Sequence, residues 1–330
     1  MQIFINFLFL IFGFVFLIKG ADYFIVSSSS IARKFNVSPL IIGLTLVAFG
    51  TSLPELAVSF AASLTVAPGA TADIAMGNVI GSNIVNITLI LGLSAVVMPV
   101  LVKKSMNKRE FPFLIGITVL ISILAIFFQR DAQIARWEAI VLLMFFAFYM
   151  YLMIASQKNA DISEDIHLVD IKKAVILLII GIAGVSIGGY LVTSGAEYLA
   201  IELLVNGFGV GTSKAVTLVG LSVVALGTSL PELVTSVMAA KKGENEIALG
   251  NVVGSNVFNI LFILGLSGVV TPLGINNDVL IDTVLLIGIT ITAVIFSITG
   301  QKISKIEGWI LVVMYVTYIA YIILRALGML

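Results

Sequence analysis

Two glutamates, Glu55 and Glu232, each close the same hexapeptide, G-T-S-L-P-E, at Gly50–Glu55 and Gly227–Glu232. Both hexapeptides lie inside long apolar runs. An acidic side chain at mid-bilayer depth costs about 2–4 kcal/mol even on permissive scales, and persists chiefly where an ion or a charged partner compensates it. No Lys or Arg lies between Lys34 and Lys103 or between Lys214 and Lys241, so an ion is the fitting compensation. Thr51 and Ser52 stand four and three residues before Glu55, and Thr228 and Ser229 repeat that spacing before Glu232. On a helix these groups project from adjoining parts of one face. Pro54 and Pro231 have no N–H, so the carbonyls of Gly50 and Gly227 lose their helical partners. Loosened carbonyls at that depth are tolerated only inside protein or beside a wet cavity. Downstream, Asn78, Ser82 and Asn86 form a polar stripe at i, i+4, i+8, and Asn251, Ser255 and Asn259 mirror it. Every donor here is an oxygen. Hard cations such as Ca²⁺ and Na⁺ take that set, Ca²⁺ accommodating about 6–8 oxygens in flexible geometry. Soft metals want thiolate, thioether or imidazole; the chain has no cysteine, and its single histidine, His167, falls in a polar stretch.

Each part also has an ordinary use. Gly77-x-x-x-Gly81 and Gly250-x-x-x-Gly254 suit close helix packing. A lone Ser or Thr in a membrane helix usually bonds back to the preceding turn, and a lone proline kinks. Asn78 and Asn251 fit bonds across helices as well as contact with an ion. The concurrence of Glu, Pro, Thr/Ser and Asn, in duplicate, is what points to an ion site.

These residues need a scaffold, and the sequence supplies ten mostly apolar segments of the length that crosses a bilayer: 2–32, 39–64, 72–98, 111–128, 137–156, 173–205, 213–239, 246–270, 279–299 and 307–327. The first has no basic leader and no small-residue cleavage site, so it reads as a span rather than a signal peptide. The third and eighth are rich in Gly, Asn and Ser and belong inside the bundle. Trp137 and Trp309 open their helices as interfacial anchors. The chain is also duplicated. Gly43–Ser59, G-L-T-L-V-A-F-G-T-S-L-P-E-L-A-V-S, matches Gly220–Ser236, G-L-S-V-V-A-L-G-T-S-L-P-E-L-V-T-S. Gly77–Leu93 matches Gly250–Leu266, and Gly20-Ala21-Asp22-Tyr23 echoes Gly195-Ala196-Glu197-Tyr198. Asp22 and Glu197 either line an access path or tune helix contacts. Each copy holds five spans, an odd number, so the second copy enters the membrane from the opposite side. The expected architecture is an all-α membrane protein of ten transmembrane helices in two inverted five-helix repeats, with broken helices 2, 3, 7 and 8 at its core. Residues 1–156 form the first repeat, 157–172 a linker and 173–330 the second repeat. The linker reads as solvated, with a regulatory cation site as the lesser alternative.

The composition agrees with a lipid-dissolved chain. Of 330 residues 60% are hydrophobic and 11% charged, against about 45–50% and about 25% in soluble domains. A formal net charge of zero gives no reason to expect nucleic acid as a partner, and no obligatory protein partner is evident. Thirteen Lys and Arg fall in one set of alternate loops and four in the other. The positive-inside rule places the richer set, with the 157–172 loop, in the cytoplasm and both termini outside.

The G-T-S-L-P-E motif followed by G-N-x-x-G-S-N, twice, resembles the paired repeats of the cation/calcium exchanger superfamily, in its prokaryotic sodium/calcium antiporter branch, over nearly the whole chain. The resemblance implies ion sites between the second, third, seventh and eighth helices. The first half would supply Glu55, Thr51, Ser52, the backbone of Ala48, Ser82 and Asn86. The second would supply Glu232, Thr228, Ser229, the backbone of Ala225, Ser255 and Asn259. The long first and sixth helices would slide across this core. It implies exchange of Ca²⁺ against several Na⁺ across a prokaryotic cytoplasmic membrane. The ions are substrates, the lipid bilayer is the medium, and no cofactor is needed. Some relatives carry Asp where Asn86 or Asn259 stands, and potassium-dependent exchangers use an acid in the second repeat; the two asparagines therefore argue against potassium cotransport. Competing expectations are a Ca²⁺/H⁺ or other divalent antiporter, a passive channel, and an intramembrane enzyme using Glu55 and Glu232 as an acid/base pair.

Overall fold

The computed structural model describes residues 2–67, 71–127, 133–155, 169–209, 211–212, 219, 225–326 and 329. Apolar runs without interior proline wind into long helices: α1 (Gln2–Lys34), α4 (Asp73–Val97), α5 (Phe111–Phe127), α6 (Arg136–Ala155), α7 (Ile171–Gly207), α10 (Asn245–Val270), α11 (Asn277–Gly300) and α12 (Lys305–Ala326). The two proline-bearing spans are instead divided, into α2 (Pro39–Thr51) with α3 (Leu53–Thr65), and α8 (Ala225–Thr228) with α9 (Leu230–Lys241). The α2–α3 pair bends by 51°. Among the described residues seven helices are long and apolar enough to cross a membrane, and eight if the bent pair counts as one span. The count excludes α5, at 17 residues, and α8–α9, because most of the expected 213–224 stretch ahead of them lies outside the described residues.

The third and eighth spans depart from expectation. They are not broken: α4 and α10 run on continuously, and each absorbs its irregularity as one π turn, Asn86–Ile90 and Asn259–Ile263. The reason is local. Neither helix contains a proline, so no N–H is missing, and an extra residue can be wound in without opening the chain. Both sit centrally, with most of α4 and α10 buried, whereas most of α1 and α7 is not.

Small residues set the packing. A Cβ on Gly188 would lie 2.6 Å from the Leu17 amide nitrogen, and one on Gly20 2.7 Å from that of Val185, so α1 and α7 touch backbone to backbone. Gly254 meets Leu44 in the same way at 2.6 Å, holding α10 against α2, whereas a methyl on Gly77 or Gly81 meets nothing within 4 Å among the described residues. Polar caps begin several helices, among them Ser38 before Pro39, Asp170 before α7 and Asn276 before α11. Two antiparallel ladders tie the halves together. Strand β1 (Val100–Leu101) pairs with β4 (Lys302–Ile303), and β2 (Gln133–Ile134) with β3 (Leu273–Gly274). They lie at opposite ends of α5, since β1 precedes that helix and β2 follows it.

A second duplication appears at the periphery. Leu114–Thr118 on α5 and Leu286–Thr290 on α11 share the sequence L-I-G-I-T, and four residues earlier stand Glu110 and Asp282. Both acids are largely buried, and each interacts with a buried tyrosine on the next helix, Tyr149 on α6 and Tyr318 on α12. Asp282 is held at both oxygens by Arg325, at 3.1 Å and 3.1 Å. Glu110 is held at one, by Arg109 at 2.6 Å, and its other oxygen has no partner among the described residues. Burial pushes the Glu110 carboxyl above the usual carboxylate range, against the pull of Arg109.

Candidate cation-binding centre

The two helix breaks define the centre. Ser52 ends α2 at φ −83°, ψ 12°, and Ser229 ends α8 at φ −88°, ψ 8°, each two residues before its proline. Leaving helical geometry aims each serine across the molecule. Ser52 Oγ donates to Glu232 Oε1 at 2.7 Å, and Ser229 Oγ donates to Glu55 Oε1 at 2.9 Å. The exchange is reciprocal: the break in each half holds the carboxylate of the other. All four side chains are fully buried. Thr228 also acts on the Glu55 carboxylate and Thr51 on that of Glu232.

The remaining expected residues converge there, and most of them are left with unused bonding capacity. Among the described residues Glu55 Oε2 and Glu232 Oε2 have no partner, nor do the hydroxyls of Ser82 and Ser255, Oδ1 of Asn259, or either amide atom of Asn86. An unsatisfied buried polar atom costs about 1–3 kcal/mol, more when charged. Such a cluster is disfavoured unless something binds it. Asn86 and Asn259 each begin a π turn, a feature that recurs at functional sites. The Ala48 carbonyl accepts the Ser52 N–H at 3.0 Å, with Thr51 Oγ1 at 3.4 Å. Ala225 is the first residue of α8; its side chain lies outside the described set.

Asn78 and Asn251, open between two uses in the sequence, bond across helices. Asn78 Nδ2 donates to Ser59 Oγ at 3.0 Å and to the Glu55 carbonyl at 3.3 Å. Asn251 Nδ2 donates to Ser236 Oγ at 2.9 Å and to the Glu232 carbonyl at 3.5 Å. Sequence reasoning passed over four buried residues of this region. Ser59 and Ser236 follow the glutamates by one turn. Asn83 and Asn256 close the two G-N-x-x-G-S-N motifs, and Asn83 links α4 to α10, donating to Asn256 O at 3.3 Å and accepting from Asn259 Nδ2 at 3.0 Å. The signal was present, since all four recur at matched positions of the duplication.

Outside the centre, Asp22 forms an ion pair with Lys242, joining α1 to the end of α9. Residues 156–168, most of the expected linker, lie outside the described set. Among the described residues no three His, Cys, Asp or Glu gather as a metal-holding group. The centre has two carboxylates and otherwise neutral oxygens, a donor set suited to a hard cation that must also leave.

Comparison with known proteins decides the family. The profile of the sodium/calcium exchanger protein family matches residues 5–155 and 173–324. The chain belongs to that family. It is 37% identical to the sodium/calcium exchanger MaX1 of Methanosarcina acetivorans, over 96% of this chain and 97% of that protein. It is 36% identical to the inner membrane protein YrbG of Escherichia coli, over 80% of this chain and 79% of that one. A solved structure of the sodium-calcium exchanger NCX_Mj, soaked with 10 mM Na⁺ and 10 mM Sr²⁺, superimposes with a TM-score of 0.80 at 32% identity, covering 96% of this chain and 98% of that one. Exchangers of this family are transporters and not enzymes, and the apolar helices make the chain an integral, multi-pass membrane protein.

Proposed function

We propose that the chain is a sodium/calcium antiporter in which Ca²⁺ and Na⁺ compete for one oxygen cage by alternating access. The observation that carries this reading is the set of buried, unpartnered oxygens on Glu55, Glu232, Ser82, Asn86, Ser255 and Asn259, gathered around two reciprocally held carboxylates. Thr51, Ser52, Thr228 and Ser229, with the backbones of Ala48 and Ala225, complete the proposed ligand set. The names of MaX1 and NCX_Mj support the choice of ions.

The carboxylates together neutralise one Ca²⁺. A cage that instead holds more than two Na⁺ moves net charge, so the exchange is electrogenic. With Asn86 and Asn259 in place of acids, no third carboxylate is available for a further cation, and transport is independent of K⁺. The scaffold is ten spans in two inverted repeats, 1–156 and 173–330, around the 157–172 linker. Supporting the inversion, the duplicated loops that hold β1 and β3 join separate ladders at opposite ends of α5. Both termini face out and the linker faces the cytoplasm of a prokaryotic cell, in line with the Lys/Arg distribution. No cofactor and no protein partner is required.

The test is ⁴⁵Ca²⁺ uptake into proteoliposomes holding the purified protein. Uptake is expected into Na⁺-loaded vesicles and not into vesicles loaded with Li⁺, K⁺ or acid. Equal uptake without a Na⁺ gradient would contradict the reading.

A further inference from the structure

A threonine hydroxyl has one proton to donate, and besides the Glu232 carboxylate on which it acts, Thr51 has three acceptors within reach: Val47 O at 3.1 Å, Ala48 O at 3.4 Å and Asn251 Oδ1 at 3.0 Å. The first two belong to its own helix, and the third comes from the other half of the molecule. Bonding to the preceding turn is the ordinary choice for threonine in a membrane helix. It would place the proton on carbonyl oxygens beside the helix break, where a cation would compete for the same lone pairs. The third acceptor removes that conflict.

The orientation of the Asn251 amide is fixed by its own bonds. Its two N–H groups point toward Ser236 Oγ at 2.9 Å and the Glu232 carbonyl at 3.5 Å, which leaves Oδ1 facing Thr51. An amide turned the other way would set Oδ1 against the Glu232 carbonyl oxygen with no proton between them, which favours the orientation with Nδ2 on that side. Thr51, Ser236 and Asn251 are all fully buried, so no solvent substitutes for these bonds. Ser236 lies four residues after Glu232, one turn along the same face of α9. One side chain therefore joins the carbonyl of the second-half glutamate to the hydroxyl beside the first-half break.

Resting on the antiporter reading, we propose that Asn251 is a positioning residue, which takes the Thr51 hydroxyl proton and so leaves the Ala48 lone pair not used by the Ser52 N–H, and the Thr51 lone pairs, to the transported cation. Ser236 is its anchor. Neither residue contacts the ion. The role differs from that of a packing residue, because it operates only while Thr51 has a proton to give away. With Asn251 shortened, the Thr51 proton goes to Val47 O, Ala48 O or the Glu232 carboxylate, and a cation must displace it before it can bind.

The experiment is a double-mutant cycle on Na⁺-driven ⁴⁵Ca²⁺ uptake in proteoliposomes, with N251A, T51V, and the two combined, and with S236A as a second route to the same amide. N251A is expected to raise KM about tenfold with the maximal rate within about twofold, and S236A to raise KM in the same direction by less. In the T51V background N251A is expected to add less than about twofold, since no hydroxyl proton remains to be placed. Equal KM penalties for N251A in both backgrounds would overturn the proposal, as would a fall in maximal rate at unchanged KM. If N251A does not fold, S236A in the two backgrounds decides alone by the same criterion. Wild-type uptake separates the two ideas. Its absence defeats the antiporter reading, whereas additive mutants beside an active wild type defeat only the role of Asn251.

Discussion

At the scale of residues, the centre divides its buried polar groups into those that hold the protein and those held open for something else. Asn83 and Asn86 illustrate the division, three positions apart on α4. Asn83 bonds to Asn256 O and Asn259 Nδ2, while neither amide atom of Asn86 has a partner among the described residues. Asn83→Ala strands the buried Asn259 Nδ2 and leaves Asn256 O with the Asn259 N–H alone, and is expected to lower stability by about 1–3 kcal/mol. Asn86→Ala removes no protein bond, so its thermal unfolding in detergent without Na⁺ or Ca²⁺ is expected to stay within about 1 kcal/mol of wild type. Its uptake is expected to fall about tenfold or more, through loss of a cation ligand. Unfolding curves and uptake rates measured on both variants check the assignment; a destabilised Asn86→Ala with normal uptake would reverse it. The residues that bear charge were legible in sequence, because a carboxylate in an apolar run has few explanations and a duplicated one fewer. The supporting shell was not. Ser59, Ser236, Asn83 and Asn256 are small polar residues of a kind that membrane helices use for ordinary packing, and only the bonds they make tell the two uses apart.

At the scale of elements, proline decided what could be read in advance. The breaks at Ser52 and Ser229 follow from one missing N–H each, a local cause that sequence displays. The continuity of α4 and α10 does not show in the same way, because a Gly- and Asn-rich segment without proline can open or take up a π turn, and tertiary packing chooses. The mirrored acid–tyrosine pairs on the outer helices were also hidden, since α5 and α6 share little sequence with α11 and α12 beyond L-I-G-I-T. The two pairs differ in how their charge is met. Arg325→Ala leaves Asp282 without its two-point partner, and is expected to destabilise the α11–α12 contact by about 1–3 kcal/mol, seen as earlier thermal unfolding. Glu110 behaves in the opposite sense. Its folded pKa is raised above the ordinary value of 4.5, so the protonated form is favoured by folding and the carboxylate is disfavoured. Stability at this position is present below the unfolded pKa and is lost as pH rises through the folded one. Glu110→Gln is therefore expected to melt like wild type near pH 4 and later than wild type as pH rises above about 5. A constant difference across that range would contradict it.

At the scale of the whole molecule, two halves that exchange serine–carboxylate bonds build one site from both. Neither half alone carries more than one of the two glutamates, so occupancy by a divalent cation depends on their staying together. Exchange of more than two Na⁺ for each Ca²⁺ carries positive charge outward as Ca²⁺ enters. An inside-positive potential is accordingly expected to speed Ca²⁺ uptake and an inside-negative one to slow it, with no change when K⁺ is replaced by choline; uptake indifferent to potential would mark electroneutral exchange. The most direct test of the twin-glutamate cage is Na⁺-driven ⁴⁵Ca²⁺ uptake by Glu55→Gln and Glu232→Gln, each beside wild type in the same proteoliposome preparation. Each substitution keeps the volume and removes one of the two charges. Both are expected to lose about 100-fold or more in uptake rate while remaining folded, since neutralising a buried acid relieves its desolvation. Uptake near the wild-type rate in either variant would contradict the account.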